Sequence, residues 1–235
     1  MHQNVDSEEH LAHDWALFQS VEAGTSDPLW RSWHATSPVV VIGRNSHVDD
    51  DVIRENCGAD NIPVLRRFSG GGAVVLGPGC LNYAVALSFA SRPAALVDVA
   101  GGFRFILQRI VAALGIPGLS IAGTDLALGG RKVSGNAQRR GHRALIHHGT
   151  LLYDFDPELA ARYLREPARR PAYRAARRHA EFIGNLPLSA ETIRDRLETA
   201  FMAFRDDSAP LSDGDAVRSE AGCRSQMASA ALPEL

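Results

Sequence analysis

Lysine is almost missing from this chain. Of its 25 Lys and Arg residues, only Lys132 is a lysine. Cysteine is scarce too: Cys57, Cys80 and Cys223 stand far apart with no CxxC pair, which argues against a disulfide framework and against a cysteine zinc site. No apolar run approaches the roughly 20 residues of a membrane-spanning helix. Charge of one sign is not in excess: the formal net charge is -2, so no global field draws the chain to nucleic acid or to a membrane. The opening stretch, MHQNVDSEEHLAHDW, is polar and acidic and lacks a signal-peptide pattern. These absences leave a cytoplasmic enzyme or binding protein as the expectation.

What is present suits one large domain. The chain has 235 residues, 45% apolar and 22% charged. SEEHLAHDWALFQSVEAG predicts a helix capped by Ser7, with Leu11, Trp15, Phe18 and Val21 on one face and Gly24 as its stop. LWRSWHAT alternates like a half-buried strand and PVVVIG reads as a fully buried one. SHVDDDVIRENCG predicts one short helix ending at Gly58, with Asp49, Asp50 and Asp51 as a capping cluster. IPVLRRF and CLNYAVALSF read as further strands. LVDVAGGFRFILQRIVAALG is the strongest helix, with Phe103, Leu107, Ile110, Val111 and Leu114 on one side. TDLALGGRKVSGNAQRR and RALIHHGTLLYDF are strand-like, and Gly129-Gly130 marks a hairpin turn. DPELAARYL starts a helix at Asp156 and Pro157, and SAETIRDRLETAFMAF is a last helix capped by Ser189, with Ile193, Leu197, Phe201 and Phe204 inward. Residues 206–235 lack aromatics and periodicity and read as a disordered tail behind a domain of residues 1–205. Strands in runs, with helices between some of them and at the ends, predict an α+β fold with a mixed, mostly antiparallel sheet flanked by helices.

Three stretches carry chemistry. In RRFSGGGAVVLGPG, three successive glycines suit backbone that approaches a ligand and offers N–H groups to an anion, with Arg66 and Arg67 just before them. The plain alternative is a glycine-rich hairpin. No Gly-Lys-Ser/Thr comes after the glycines, so this is not a Walker loop, and the residues beyond them are strand-like rather than helical, so it is not a dinucleotide fingerprint. In TDLALGGRKVSGNAQRR, Asp125 precedes the hairpin turn and Lys132 comes after it, so the two can face each other across the ladder, as a salt bridge or as part of a ligand site. Ser134, Gly135, Asn136 and Ala137 are small enough to leave room for a ligand. In IHHGT, His147 and His148 point to opposite faces of a strand, one toward a pocket and one toward solvent, and do not chelate a metal. An amine retained where every other cation is a guanidinium suggests a site that needs a compact, rotatable point charge.

RRFSGGGAVVLGPGCLNYAV, TDLALGGRKVSGNAQRR and HHGTLLYDFD together resemble the linked blocks of the lipoate–protein ligase family, relatives of octanoyltransferases and biotin ligases; VVVIGRN, residues 39–45, is similar to another block. The resemblance spans about residues 10–185. It implies a biotin/lipoate-ligase-like catalytic domain and a two-step reaction. Lipoate and ATP with Mg²⁺ give lipoyl-AMP, and a lysine of an acceptor lipoyl domain then takes the lipoyl group. By position it implies Lys132 at the reactive carboxylate and phosphate, Asp125 as a catalytic and metal-holding acid, and Gly70, Gly71 and Gly72 as the loop over the acyl-adenylate. The same blocks place Arg67, Ser69, Ala73, Asn82, Ser134, Gly135, Ala137, His148 and Gly149 at the substrate or nucleotide.

The chain departs from the family pattern at several points. Leu76-Gly77 stands for His-Asp, Cys80 for Asn, Thr124-Asp125 for Asn-Asp, and Ser46 for Gln. Residues 186–235 hold too little for a full accessory domain, so either a separate partner supplies it or the enzyme works without one. Two other readings stay open. One is an octanoyl- or lipoyl-transferase working through a cysteine thioester, for which Cys80 is the cysteine to test. The other is a non-catalytic acyl-adenylate-binding protein. Biotin ligation lacks its GRGRxGR loop and KWPND-like stretch.

Overall fold

A computed structural model describes residues 5–26, 29–91, 94–168 and 170–202. The proposed tail and Phe204 lie outside the described residues. In chain order the elements are α1 (Val5–Glu22), β1 (Leu29–His34), β2 (Val39–Ile42), α2 (Val48–Asp51), α3 (Arg54–Ala59), β3 (Val64–Arg66), β4 (Val74–Leu76), β5 (Cys80–Ser88) and α4 (Val99–Leu114). Then come β6 (Ser120–Ala122), β7 (Asp125–Leu128), β8 (Arg131–Ser134), β9 (Asn136–Arg140), β10 (Ala144–Leu152), α5 (Pro157–Tyr163), α6 (His179–Phe182) and α7 (Ala190–Met202).

The central sheet is antiparallel, in the order β1-β5-β10-β9. The alternation of β5 sorts its side chains onto two faces. Leu81, Tyr83, Val85 and Leu87 join Leu145 and Leu151 of β10 against α4 and α7, where Ile106, Leu107, Ile110, Ile193, Leu197 and Phe201 complete the main core. Ala84, Ala86, Ala144 and Ile146 face α1 and take its Phe18 and Val21. Small residues on that face let α1 lie close. A second sheet, β3-β2-β4, pairs β2 with β3 in parallel and with β4 antiparallel. The third, β6-β7-β8, is antiparallel. The fold is therefore α+β, with mostly antiparallel sheets flanked by helices.

Local chemistry explains the joints. Asp98 caps α4 by accepting from the Gly101 N–H at 2.6 Å, and Gly115 ends it at φ 56°. Gly129 and Gly130 both have positive φ, as a two-residue hairpin between β7 and β8 requires. Asp156 caps α5 and Ser189 accepts from Thr192 at the start of α7.

Three expectations are corrected. α1 begins two residues before Ser7, so Ser7 sits inside the helix, buried, rather than at its cap. The single helix over residues 47–58 is two short helices, because buried Val52 bridges Leu164 and Ile53 N–H donates to the Tyr163 carbonyl, forcing extended backbone between them. Asp49, Asp50 and Asp51 lie in the first turn of α2, with His47 at the cap. In α4 the buried stripe runs through Ile106, Leu107, Ile110 and Leu114, while Phe103 and Val111 are only partly buried. Gly102 turns that stripe: a Cβ there would lie about 3.2 Å from Gln138 and Leu145, so the helix approaches the sheet at this point.

Candidate active site

The glycine loop joins β3 to β4 and is held from inside. Buried Arg67 donates from Nη2 to the carbonyls of Gly70 (2.7 Å) and Gly72 (2.9 Å), from Nη1 to that of Val41 (3.3 Å), and from Nε to Ser69 Oγ (3.1 Å). Burial lowers its pKa to about 10, so it stays cationic at neutral pH. Arg66 Nη1 bonds the carbonyls of Gly43, Arg44 and Ser46, and Ser46 Oγ donates to the Gly71 carbonyl at 3.0 Å. The two loops touch backbone to backbone. A Cβ on Gly43 would lie 1.8 Å from the Gly71 oxygen. With the carbonyls of Gly70 and Gly72 turned toward Arg67 and that of Gly71 toward Ser46, the three glycines are exposed, and among the described residues their N–H groups donate no hydrogen bond. Gly71, at φ 90°, holds a backbone conformation that a side chain would strain.

The lysine group forms on the hairpin. The ladder places Lys132 opposite Ala127, and Asp125 shares the face of Ala127 two residues away. The pair meets diagonally, helped by a bulge between Leu126 and Ala127: Lys132 Nζ is 2.8 Å from Asp125 Oδ1. Asp125 Oδ2 accepts from the Tyr173 hydroxyl at 2.8 Å. Burial, then the nearby Asp125 carboxylate, pushes the Tyr173 phenol upward, so it remains a donor. The Lys132 side chain is 28% exposed. Gly135 lies beside it; a Cβ there would be 3.2 Å from Nζ.

β10 links the two groups. His148 Nε2 is 2.5 Å from Ser69 Oγ, on the glycine-loop side. A Cβ on the next residue, Gly149, would lie 2.7 Å from the Gly135 carbonyl and 2.0 Å from Asn136 Oδ1. Asn136 Oδ1 accepts from Tyr83 (2.5 Å) and from buried Ser134 (3.3 Å), while Nδ2 donates to the Thr124 carbonyl (2.8 Å). Since Tyr83 gives its proton to Asn136, its oxygen accepts from His147 Nε2 at 3.0 Å, and His147 Nδ1 accepts from Gln138. Burial lowers His147 to about 3 and keeps it neutral. Both histidines are buried, on opposite faces, so neither turns to solvent. Ala137 pairs with His148 across β9–β10. Ala73 comes directly after the loop, half-buried. Buried Asn82 lies on β5 between Trp33 and Thr150 and donates to the Trp33 carbonyl at 3.4 Å.

Sequence reading missed Tyr173 and Asp14. Tyr173 lies in PARRPAYRAARRHAEF, which has neither period, and Asp14 reads as a polar residue on a helix surface. An open cleft of about 410 Å³ beside the loop is lined by Leu11, Trp15, Leu65, Phe68, Arg44 and Arg66, among others; Lys132 does not line it. Among the described residues no three His, Cys, Asp or Glu side chains gather to hold a metal ion. Cys80 is fully buried, and burial pushes its thiol up to about 12.

Residues 6–202 match the family model described as "Lipoyl protein ligase A/B catalytic domain". The chain is 30% identical over 125 residues to lipoate–protein ligase LplJ of Bacillus subtilis, covering 52% of this chain but only 36% of that protein. It is 30% identical over 185 residues to the octanoyl-[GcvH]:protein N-octanoyltransferase of Kyrpidia tusciae, covering 68% and 61%. Among solved structures, it is similar to that described as a bi-partite lipoate protein ligase with its E2 lipoyl domain from Thermoplasma acidophilum. The TM-score is 0.69 at 22% identity, over 86% of this chain and 80% of that one.

Proposed function

We infer what this chain does from what it is: it belongs to the lipoyl protein ligase A/B catalytic domain family. Within that family we propose an ATP-dependent lipoate–protein ligase that forms lipoyl-AMP and passes the lipoyl group to a lysine of an acceptor lipoyl domain. The observation that carries this reading is Lys132. It is the one amine among 25 cationic side chains, 2.8 Å from Asp125 and beside the bare backbone of Gly135.

In the first step the lipoate carboxylate attacks the α-phosphorus of ATP and pyrophosphate leaves. In the second the acceptor amine attacks the acyl carbon and AMP leaves. Lys132 faces negative charge that moves between carboxylate, phosphorus and the tetrahedral carbon, all within a few ångströms. Asp125, itself held by the Tyr173 hydroxyl, holds the ammonium in place. The free N–H groups of Gly70, Gly71 and Gly72 suit the anionic adenylate. Gly149 lets β10 pass close to Gly135 and Asn136, and Gly135 keeps a side chain from pressing on Lys132. A Mg²⁺ ion would be held by Asp125 together with the nucleotide phosphates, where it offsets phosphate charge; one carboxylate fits an ion carried largely by phosphates and water.

The transferase reading needs a reactive thiol near this site. Cys80, fully buried with its thiol at about 12, does not supply one. The chain spans little more than a third of LplJ, and the bi-partite Thermoplasma ligase offers the precedent for a separate accessory protein as partner. The test is incubation with lipoate and MgATP, with mass spectrometry for lipoyl-AMP. Adenylate formation supports a ligase. Acyl transfer only from an acyl-carrier donor would replace it with a transferase, and binding without turnover with a non-catalytic protein.

A further inference from the structure

A buried polar chain runs from α1 to the glycine loop, and the two chemical steps above do not use it. Asp14 is 2% exposed on the inner side of α1. Its Oδ1 pairs with Arg31 Nη1 at 2.5 Å, and its Oδ2 faces His148 Nδ1 at 4.0 Å. On the other side of the ring, His148 Nε2 meets Ser69 Oγ at 2.5 Å, and Ser69 is 1% exposed. Ser69 Oγ accepts from Arg67 Nε at 3.1 Å, and among the described residues His148 Nε2 is the one acceptor within reach of its own proton, which at this depth would otherwise stay unpaired. The imidazole hydrogen must then sit on Nδ1, facing the Asp14 carboxylate. His147, one residue earlier, carries its hydrogen on the opposite nitrogen. Phe68 stacks on the His148 ring at 5.1 Å, and the Ser69 carbonyl accepts from the Arg44 N–H at 2.7 Å. Two distant segments, β10 and the loop at Arg44, thus meet at Ser69, the residue that enters the glycine loop, with α1 behind His148.

We propose that Asp14 and His148 are positioning residues: Asp14 fixes the His148 tautomer that receives the Ser69 hydroxyl, and through Ser69 the two latch the glycine loop in its working shape. The latch itself is independent of the acyl donor; only its expected effect on turnover rests on the ligase reading.

The ionisable groups around His148 are few. Asp14 faces it from α1 with Arg31 of β1 behind, Arg67 lies beyond Ser69, and His147 adjoins it on β10. The residues opposite it on β5 and β9 are Ala84 and Ala137. Burial lowers its pKa despite the Asp14 carboxylate, so the ring is neutral at pH 7. A proton on Nε2 would turn that nitrogen from acceptor to donor, leave the Ser69 proton without its acceptor and loosen the latch.

The test uses the full chain and two variants, Asp14→Asn and Ser69→Ala. Long-range ¹H–¹⁵N spectra of the imidazoles should show His148 as the Nδ1–H tautomer in the wild type, with Nε2–H mixed in when Asp14 is replaced. Protection of the Arg44 amide, taken relative to its intrinsic exchange rate, should fall at least tenfold in both variants, and in the wild type as acid protonates His148. The KM for the acyl acid should rise with kcat changed less. Ser69→Ala keeps the Asp14–His148 pair and serves if Asp14→Asn does not fold. A wild-type Nε2–H tautomer, or unchanged Arg44 exchange in Ser69→Ala, overturns the proposal. A tautomer and exchange response as expected, in a protein that never forms an adenylate, upholds the latch and rejects the ligase reading instead.

Discussion

Replacing Lys132 with arginine keeps the charge and changes only its shape. The ammonium sits between the Asp125 carboxylate at 2.8 Å and Gly135, where even a Cβ would come within 3.2 Å of it. A guanidinium is planar and reaches further, so its nitrogens must turn toward solvent or press on Gly135 and the substrate beyond. The introduced guanidinium can still pair with Asp125 at this partly exposed position. The stability change should therefore stay below about 1 kcal/mol, a shift of roughly 2–4 °C in Tm for a chain of this size. The rate should suffer far more. Loss of one pre-aimed contact to transition-state charge typically costs about 10²–10³ in rate, or roughly 3–4 kcal/mol. The assay is single-turnover formation of lipoyl-AMP, then transfer to an apo lipoyl domain, with circular dichroism as the folding control. Near wild-type rates in both steps would refute the reasoning that this amine was kept for chemistry.

The same geometry sets other expectations. Asp125→Asn should slow adenylate formation more than transfer from preformed lipoyl-AMP, because the carboxylate serves while pyrophosphate leaves; equal losses in the two half-reactions would reduce Asp125 to a structural partner. Gly43→Ala should cut turnover at least tenfold with the sheets intact, since its Cβ would meet the Gly71 oxygen at 1.8 Å and displace the loop; an unchanged rate would show that the loop's position does not matter. Cys80→Ala should keep most turnover at a cost of about 1 kcal/mol in stability, read by denaturant melts, and abolished transfer would restore the thioester reading. Acid should destabilise the fold. His147 and His148 both have pKa values lowered by burial, so the unfolded chain binds more protons than the folded one below about 6.5, and stability falls as pH drops from there toward about 3. A Tm that is flat from pH 7 to 4 would contradict their burial as neutral rings.

Much of this site could be read from the sequence because its parts lie within short runs. Gly129-Gly130 between two strand-like segments predicts the hairpin, and the hairpin alone brings Lys132 within reach of Asp125. The alternation around His147 and His148 predicts their opposite faces. What could not be read is what each residue meets across the fold. Tyr173 reaches Asp125 from 48 positions away in a stretch without period. Asp14 sits on the inner side of α1, where a carboxylate blurs the apolar stripe, and only Arg31 and His148 explain its burial. The helix break at Val52 is set by its bridge to Leu164, a contact with no local signature. The inward turn of Arg67 depends on three carbonyls, that of Val41 on β2 and those of Gly70 and Gly72 in the glycine loop.

The central claim, ATP-dependent attachment of a lipoyl group by this chain, is tested most directly by intact mass. An apo lipoyl domain is incubated with the protein, lipoate and MgATP, with and without a bi-partite system's accessory subunit. One added lipoyl group per domain is expected, absent when ATP is omitted and greatly slowed by Lys132→Arg. A domain left unmodified in every mixture, or modified equally well without ATP, would contradict it.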